Sequence, residues 1–357
     1  MTALPHITPS YAPQPPGVPW PSDAWPTGDA ARPGALSAAV ERAFTDPELA
    51  ETQAVVVVQG GRVVAERYGG TVPFFDRPPE PVTASTALLS WSMAKSMLHF
   101  VVGTLVDDGL LDPDDEALVP EWDVGDDPRH VIRLADLLSM RDGLGFIESY
   151  DLNGHSDVVE MLFGSGQGDV AGFATSFALA HPPGTHFNYS SATSNIISRI
   201  VADQVGPGEP YRDYLNERLF APLGMSSARA TFDDTGTWVA STFVHATALD
   251  FARFGLLYLR GGEWDGRRLV SQAWADTAQW PLSVEDDTDE VYSWHWWVTG
   301  DEHGTYWASG YEGQMICVAP ALDAVVVRLG RSPEENAPAR AQWRCDLLNS
   351  LGDPNVG

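Results

Sequence analysis

The spacing of apolar residues changes twice along the chain and divides it into three stretches. In the first, residues 53–59 hold Val55, Val56, Val57 and Val58 in succession, which predicts a buried strand. Gly60-Gly61 then predicts a two-residue turn into a second strand over 62–68, so the pair reads as a hairpin. A short helix is expected over 35–45 and a loop over 74–81. The middle stretch has helical spacing, beginning with an apolar-periodic segment over 92–106 for which Ser90 is the candidate N-cap. Further helices are expected over 134–140, 156–163, 170–180, 192–205, 211–219 and 247–259, with connections marked by Pro and Gly. In the last stretch the pattern returns to strands, over 291–299, 305–309, 314–319 and 324–330, closed by a helix over 337–348.

Strands at both ends with helices between them predict an α/β (α+β) fold: one antiparallel sheet built from both chain termini, flanked by helices, with an inserted α-helical lobe. Residues 1–34 form a Pro-rich arm that should wrap the surface. Residues 35–350 read as a single domain, its α/β lobe at about 35–90 and 235–350 and its helical lobe at about 91–234.

Composition narrows the classes of function. The chain has 357 residues, 44% of them apolar, as expected of a globular protein with a sizeable core. Its 49 acidic and 21 basic residues give a formal charge of −28, which argues against nucleic acid or an anionic membrane as partner. No apolar run is long enough to span a bilayer, and the N-terminal region lacks the pattern of a secretory signal, so a cytoplasmic location is expected. Cys317 and Cys345 are far apart and read as reduced structural thiols. The nine histidines are scattered outside any zinc-peptidase spacing, and no metal or cofactor is implied.

One side chain stands out against this background. Lys95 is the only lysine in the sequence, three residues after Ser92. Arginine keeps its proton in proteins, whereas lysine can lose one when its surroundings lower its pKa. At the start of a helix the two side chains share a face, and the helix dipole together with partial burial would disfavour the ammonium while favouring an anion at Ser92. From these residues alone, a nucleophile and a coincidence of spacing stay equally open. Serine needs a base within reach, and the Gly-x-Ser-x-Gly elbow is absent. Tyr189, where a helix begins after His181-Pro182-Pro183-Gly184, offers a phenol whose pKa a neighbouring ammonium would lower. Either Tyr189 as phenolate or Lys95 as free amine could then deprotonate Ser92.

Ser92-Met93-Ala94-Lys95, Tyr189-Ser190-Ser191 and Ala308-Ser309-Gly310-Tyr311, in this order, resemble the three motifs of the serine β-lactamase and penicillin-binding superfamily. Within it the chain is most similar to the class C-related branch of 6-aminohexanoate-dimer (nylon-oligomer) hydrolase type, over roughly residues 35–350. The resemblance implies a β-lactamase-like fold, acylation of Ser92, acid/base work shared by Lys95 and Tyr189, and an oxyanion held by the backbone N–H groups of Ser92 and Tyr311. It also implies that Tyr150 assists a leaving amine and that Trp297 forms an aromatic wall. Trp294, Trp296, Trp307 and Tyr311 are expected to crowd the same cleft. Two departures matter: Ala308 stands where a cation or His usually opens the third motif, and Ser191 where asparagine is frequent. The expected activity is therefore hydrolysis of small linear amides or carboxylic esters, without cofactor. The alternatives are a carboxylesterase lacking amidase activity, a β-lactamase or DD-peptidase, and a non-catalytic binding protein. The partner is a small-molecule substrate, and the oligomeric state is left open.

Overall fold

The computed structural model describes residues 4–73, 76–116, 118–150, 154–285 and 288–352. The four valines form the middle of β1 (Glu51–Gln59), which turns through Gly60-Gly61 into β2 (Arg62–Tyr68). Six strands from the C-terminal third complete the sheet: β3 (Ser283–Val284), β4 (Val291–Tyr292), β5 (Trp297–Val298), β6 (Tyr306–Gly310), β7 (Gln314–Ala319) and β8 (Ala324–Arg331). The order is β3-β4-β5-β6-β7-β8-β1-β2, and every neighbour is antiparallel. The two ends of the chain meet where β1 pairs with β8, Val56 opposite Val327 and Val57 opposite Val326.

Alternation along these central strands sends side chains to two cores, which is why both read as continuous apolar runs. Val56, Val58, Val325 and Val327 face the larger core with α2 (Met93–Asp107) and with the helix Ala248–Leu259. Val55, Val57 and Val326 face the smaller one, shared with α1 (Pro33–Thr45) and the C-terminal helix Ala337–Leu351. A Cβ on Gly255 would lie 2.5 Å from Val325 Cγ1, so this glycine lets its helix sit directly on the sheet. Residues of the arm lie against this body: Ala12 N–H donates to the Leu259 carbonyl at 3.1 Å, and Arg253 Nε to the Pro21 carbonyl at 2.7 Å.

Several boundaries differ from expectation. The predicted 291–299 strand is two short strands, because His295 breaks it with a φ of +57°. The helix expected over 170–180 ends at Thr175, after which Ala178 O accepts from Gly145 N–H and Leu179 bridges Leu144. The predicted 74–81 loop contains a strand, Glu80–Pro81, paired with Thr71–Val72, while residues 74 and 75 lie outside the described residues. Ser90 is not the N-cap of α2; that position is Ser92. Ser90 Oγ instead donates to the Thr242 carbonyl at 2.9 Å and accepts from Val244 N–H, tying the start of the helix to the 242–244 segment.

Candidate active site

Three chain segments distant in sequence converge at the N-terminus of α2. Trp91, with a φ of +45°, turns the chain sharply before Ser92. Ser92 occupies the N-cap position, yet its hydroxyl makes no capping hydrogen bond and is left for other partners. Lys95, one turn on, is 1% exposed and Ser92 8%. Its ammonium nitrogen lies 2.9 Å from Ser92 Oγ, 3.1 Å from Ser191 Oγ and 3.0 Å from the Ser241 carbonyl oxygen. The Ser241 carbonyl is itself positioned, since Asn195 Oδ1 accepts the Ser241 N–H at 3.2 Å. Burial pushes the Lys95 pKa down to about 8, against an opposing pull from the Glu148 carboxylate.

The second segment begins α3 (Ser191–Val205), where Ser190 and Ser191 have separate roles. Ser190 Oγ caps the helix by accepting from Thr193 N–H at 3.2 Å. Ser191 Oγ faces Lys95 and donates its own hydrogen to Glu148 Oε1 at 2.7 Å, while Ser191 N–H donates to Glu148 Oε2 at 2.7 Å. Tyr150 hydroxyl donates to Glu148 Oε1 at 3.0 Å. The hydroxyl that replaces the frequent asparagine thus links Lys95 to a carboxylate. Sequence reading missed Glu148, although it stands two residues before Tyr150; nothing in its local pattern said that the loop would fold back onto α3.

Protonated, Lys95 donates to all three of these oxygens; the neutral amine is more selective. The Ser191 hydrogen is committed to Glu148, so Ser191 Oγ meets Lys95 as an acceptor, and a carbonyl can only accept. A neutral Lys95 amine has two hydrogens, matched by Ser191 Oγ and the Ser241 carbonyl. Its lone pair then faces the remaining contact, the Ser92 hydroxyl.

Tyr189 sits beside this pair, its ring centroid 4.8 Å from Lys95 Nζ, with the Ser92 hydroxyl near enough to pull its pKa down against the other influences. The expected lowering of its pKa is not found. Burial raises it far above the usual phenol value, and the Glu148 charge adds to the rise, so Tyr189 is a neutral phenol. Desolvation of a phenolate outweighs any help from an amine that burial also drives toward neutrality. Trp297 stacks behind Tyr189, centroids 5.6 Å apart at 29°, and is 8% exposed; it braces the phenol.

The third segment is the end of β6 and the turn Tyr311–Gly313 that follows. A Cβ on Gly310 would lie 2.5 Å from the Ser90 carbonyl oxygen, so this glycine allows β6 to close against the segment that leads into Ser92. Ser92 N–H has no hydrogen-bond acceptor among the described residues. Tyr311 N–H opens the next helical turn, where an amide finds no partner within the turn. The Tyr311 ring stacks on Tyr150 at 4.4 Å and meets Trp91 edge-on at 5.3 Å. Ala308 is buried opposite Ile316, so the place expected of a third-motif cation holds a methyl group inside the larger core.

The other tryptophans do not crowd this cleft. Trp296 is fully buried against Phe254 and Tyr258, Trp294 packs on Trp274 and Trp280, and Trp307 lies in the smaller core. His295 is a satisfied core residue: Nδ1–H donates to the Leu138 carbonyl at 2.9 Å, Ser194 hydroxyl donates to Nε2, and burial holds its pKa at about 3. Two surface cavities of about 350 and 420 Å³ lie along the N-terminal arm, away from Ser92. Among the described residues no cluster of three or more His, Cys, Asp or Glu is arranged to hold a metal ion, and no helix is long and apolar enough to cross a membrane. Cys317 and Cys345 are both free, the first buried and the second exposed.

The family model described as Beta-lactamase matches residues 38–349, nearly the whole described body. The chain belongs to the beta-lactamase family. Within it, this beta-lactamase-family protein is 32% identical over 315 residues to the 6-aminohexanoate-dimer hydrolase of Paenarthrobacter ureafaciens, covering 82% of this chain and 75% of that one. A provisionally assigned 6-aminohexanoate-dimer hydrolase from Bacillus anthracis has the same fold, with a TM-score of 0.73 at 19% identity, over 98% of this chain and 92% of that one. A family VIII carboxylesterase superposes with a TM-score of 0.70 at 14% identity, over 90% and 97% of the two chains.

Proposed function

We propose that this protein is a serine hydrolase that forms an acyl-enzyme on Ser92 and cleaves small linear amides or carboxylic esters. The observation that carries the reading is the three-way environment of Lys95: two of its contacts can only accept, and the third is the Ser92 hydroxyl. As Ser92 Oγ bonds to the substrate carbonyl carbon, its proton moves to the Lys95 amine. The carbonyl oxygen becomes negative and is held by the N–H groups of Ser92 and Tyr311, each such donor typically contributing about 3 kcal/mol. The neutral phenol of Tyr189, beside Lys95, hands its proton to the departing nitrogen or oxygen and is restored from Lys95. Water then attacks the acyl-enzyme by the reverse route. Tyr150, stacked on Tyr311 and bonded to Glu148, is the residue assigned to assist the leaving group.

The buried methyl of Ala308 favours linear amides and esters over β-lactams and D-alanyl peptides, whose carboxylate would find no cation there. The name of the Paenarthrobacter relative supports amide cleavage. A second reading, a carboxylesterase without amidase activity, draws on the fold shared with the family VIII carboxylesterase.

Ser92→Ala should abolish the burst of nitrophenol from a nitrophenyl ester while leaving the circular dichroism spectrum unchanged. Full activity in that variant would sink the mechanism. A matched amide and ester pair separates the two readings, since only an amidase turns over both.

A further inference from the structure

All three carbonyls of the turn Tyr311–Gly313 are tied down. The Tyr311 carbonyl accepts from Gln314 Nε2 at 3.2 Å, the Glu312 carbonyl from Ser332 N–H at 3.0 Å, and the Gly313 carbonyl from Arg328 Nη1 at 2.8 Å. The turn needs such restraint, because Glu312 is held at a φ of +61°, costly for a residue with a Cβ.

Arg328 is the least expected of these anchors. It lies on β8 and is 1% exposed, with no carboxylate paired to it among the described residues. Its Nη2 donates to the Leu49 carbonyl at 2.9 Å, and its Nε is buried without a partner. Burial and the neighbouring Arg340 push its pKa down to about 9. A buried charge without a counter-ion costs stability, and an apolar residue of similar size would avoid that cost. What the guanidinium provides is a rigid fork spanning two backbone carbonyls, one in the turn and one at the end of the segment Pro47–Leu49. The turn sits directly on it: a Cβ on Gly313 would lie 2.8 Å from Arg328 Nη1 and 2.6 Å from Arg340 Cδ.

We propose that Arg328 is a positioning residue for the reaction at Ser92, holding the Tyr311–Gly313 turn through the Gly313 carbonyl so that the Tyr311 N–H stays aimed at the developing oxyanion. The inference rests on the serine-hydrolase reading above. It adds a residue with no hydrogen bond to Ser92, which reaches the turn from β8. Close contact between Gly310 and the Ser90 carbonyl means that any shift of the turn changes the spacing of the two N–H donors.

The test uses the full chain and a nitrophenyl ester. Loss of turnover in Ser92→Ala first establishes that the reaction runs through Ser92; retained turnover there overturns the underlying reading and the inference with it. In Arg328→Met, kcat should then fall about 100-fold, the scale of a displaced oxyanion donor, with KM within about twofold of the parent. The pH midpoint of kcat/KM should not move, because Lys95 is untouched, and Arg328→Lys should recover part of the loss. A folded Arg328→Met with the parental kcat, or a shifted pH midpoint, overturns the proposal while leaving the function intact. If Arg328→Met does not fold, Arg328→Gln decides, since its single amide cannot span both carbonyls: a parental kcat there also overturns it.

Discussion

At the scale of single residues, the chemistry turns on how one amine is surrounded. With its pKa pushed down to about 8, Lys95 is mostly protonated at neutral pH and gives up its proton as pH rises, which on the proposed mechanism makes it the base. The expected kcat/KM therefore climbs about tenfold per pH unit below that midpoint and levels off above it, a profile that stopped-flow acylation rates would read directly. Lys95→Arg keeps the charge but cannot release the proton, and should lower kcat by roughly 10²- to 10⁴-fold. Glu148 raises the Lys95 pKa, so Glu148→Gln should move the midpoint to lower pH. The same change leaves one acceptor oxygen for the Ser191 hydroxyl, the Ser191 N–H and the Tyr150 hydroxyl, so at least one of these bonds is lost and kcat should fall about tenfold or more. A midpoint that stays in place would show that the carboxylate does not act on Lys95. The Ser92–Lys95 spacing and the singular lysine were legible in the sequence because they follow from helix geometry alone. The protonation state of Tyr189 was not, since it depends on burial and on a carboxylate contributed by another loop.

At the scale of elements, the site depends on how α3 is seated. Asp142 is a buried carboxyl that accepts from Leu144 N–H at 2.7 Å and from the Thr193 hydroxyl in the first turn of α3. Burial raises its pKa to about 6 from an ordinary 3.8. A carboxyl whose folded pKa is raised takes up a proton more readily when folded, so its contribution to stability declines as pH rises from about 4 to about 6. The urea midpoint should accordingly increase as pH is lowered from 7 to 5, and Asp142→Asn should flatten that slope. An unchanged slope in the variant would remove Asp142 from the account. Element prediction worked where period and turn chemistry agreed, as in the β1–β2 hairpin around Gly60-Gly61. It failed at His295, whose left-handed backbone is held by bonds to Leu138, Ser194 and Ser96 from other elements. It failed likewise at Trp296, where an aromatic strand pattern suited a cleft and a core equally well.

At the scale of the whole molecule, a formal charge of −28 sets carboxylates against one another across the surface. Salt screens that repulsion over about 10 Å at 0.1 M, so the melting temperature should rise as NaCl is increased from about 0.01 to about 0.5 M. A melting temperature that falls would mean that the paired charges, such as Arg199 with Glu121 and Arg253 with Asp250, outweigh the repulsion.

The amino-acid order alone determined the runs that make strands, the turns that join them, and the helix that places Ser92 one turn before Lys95. Periodicity and i,i+3 geometry are local, and local rules can be read along a chain. Tertiary contacts decided the rest: that Glu148 reaches Ser191, that Tyr189 stays a phenol, that Arg328 sits beneath the Tyr311–Gly313 turn, and that Trp296 is core. Each of these follows from desolvation or from a partner far along the chain, and neither has a period. Ser92 and Lys95 were therefore visible as a pair before folding, but what surrounds the lysine is set by Ser191, Ser241 and, through Ser191, Glu148.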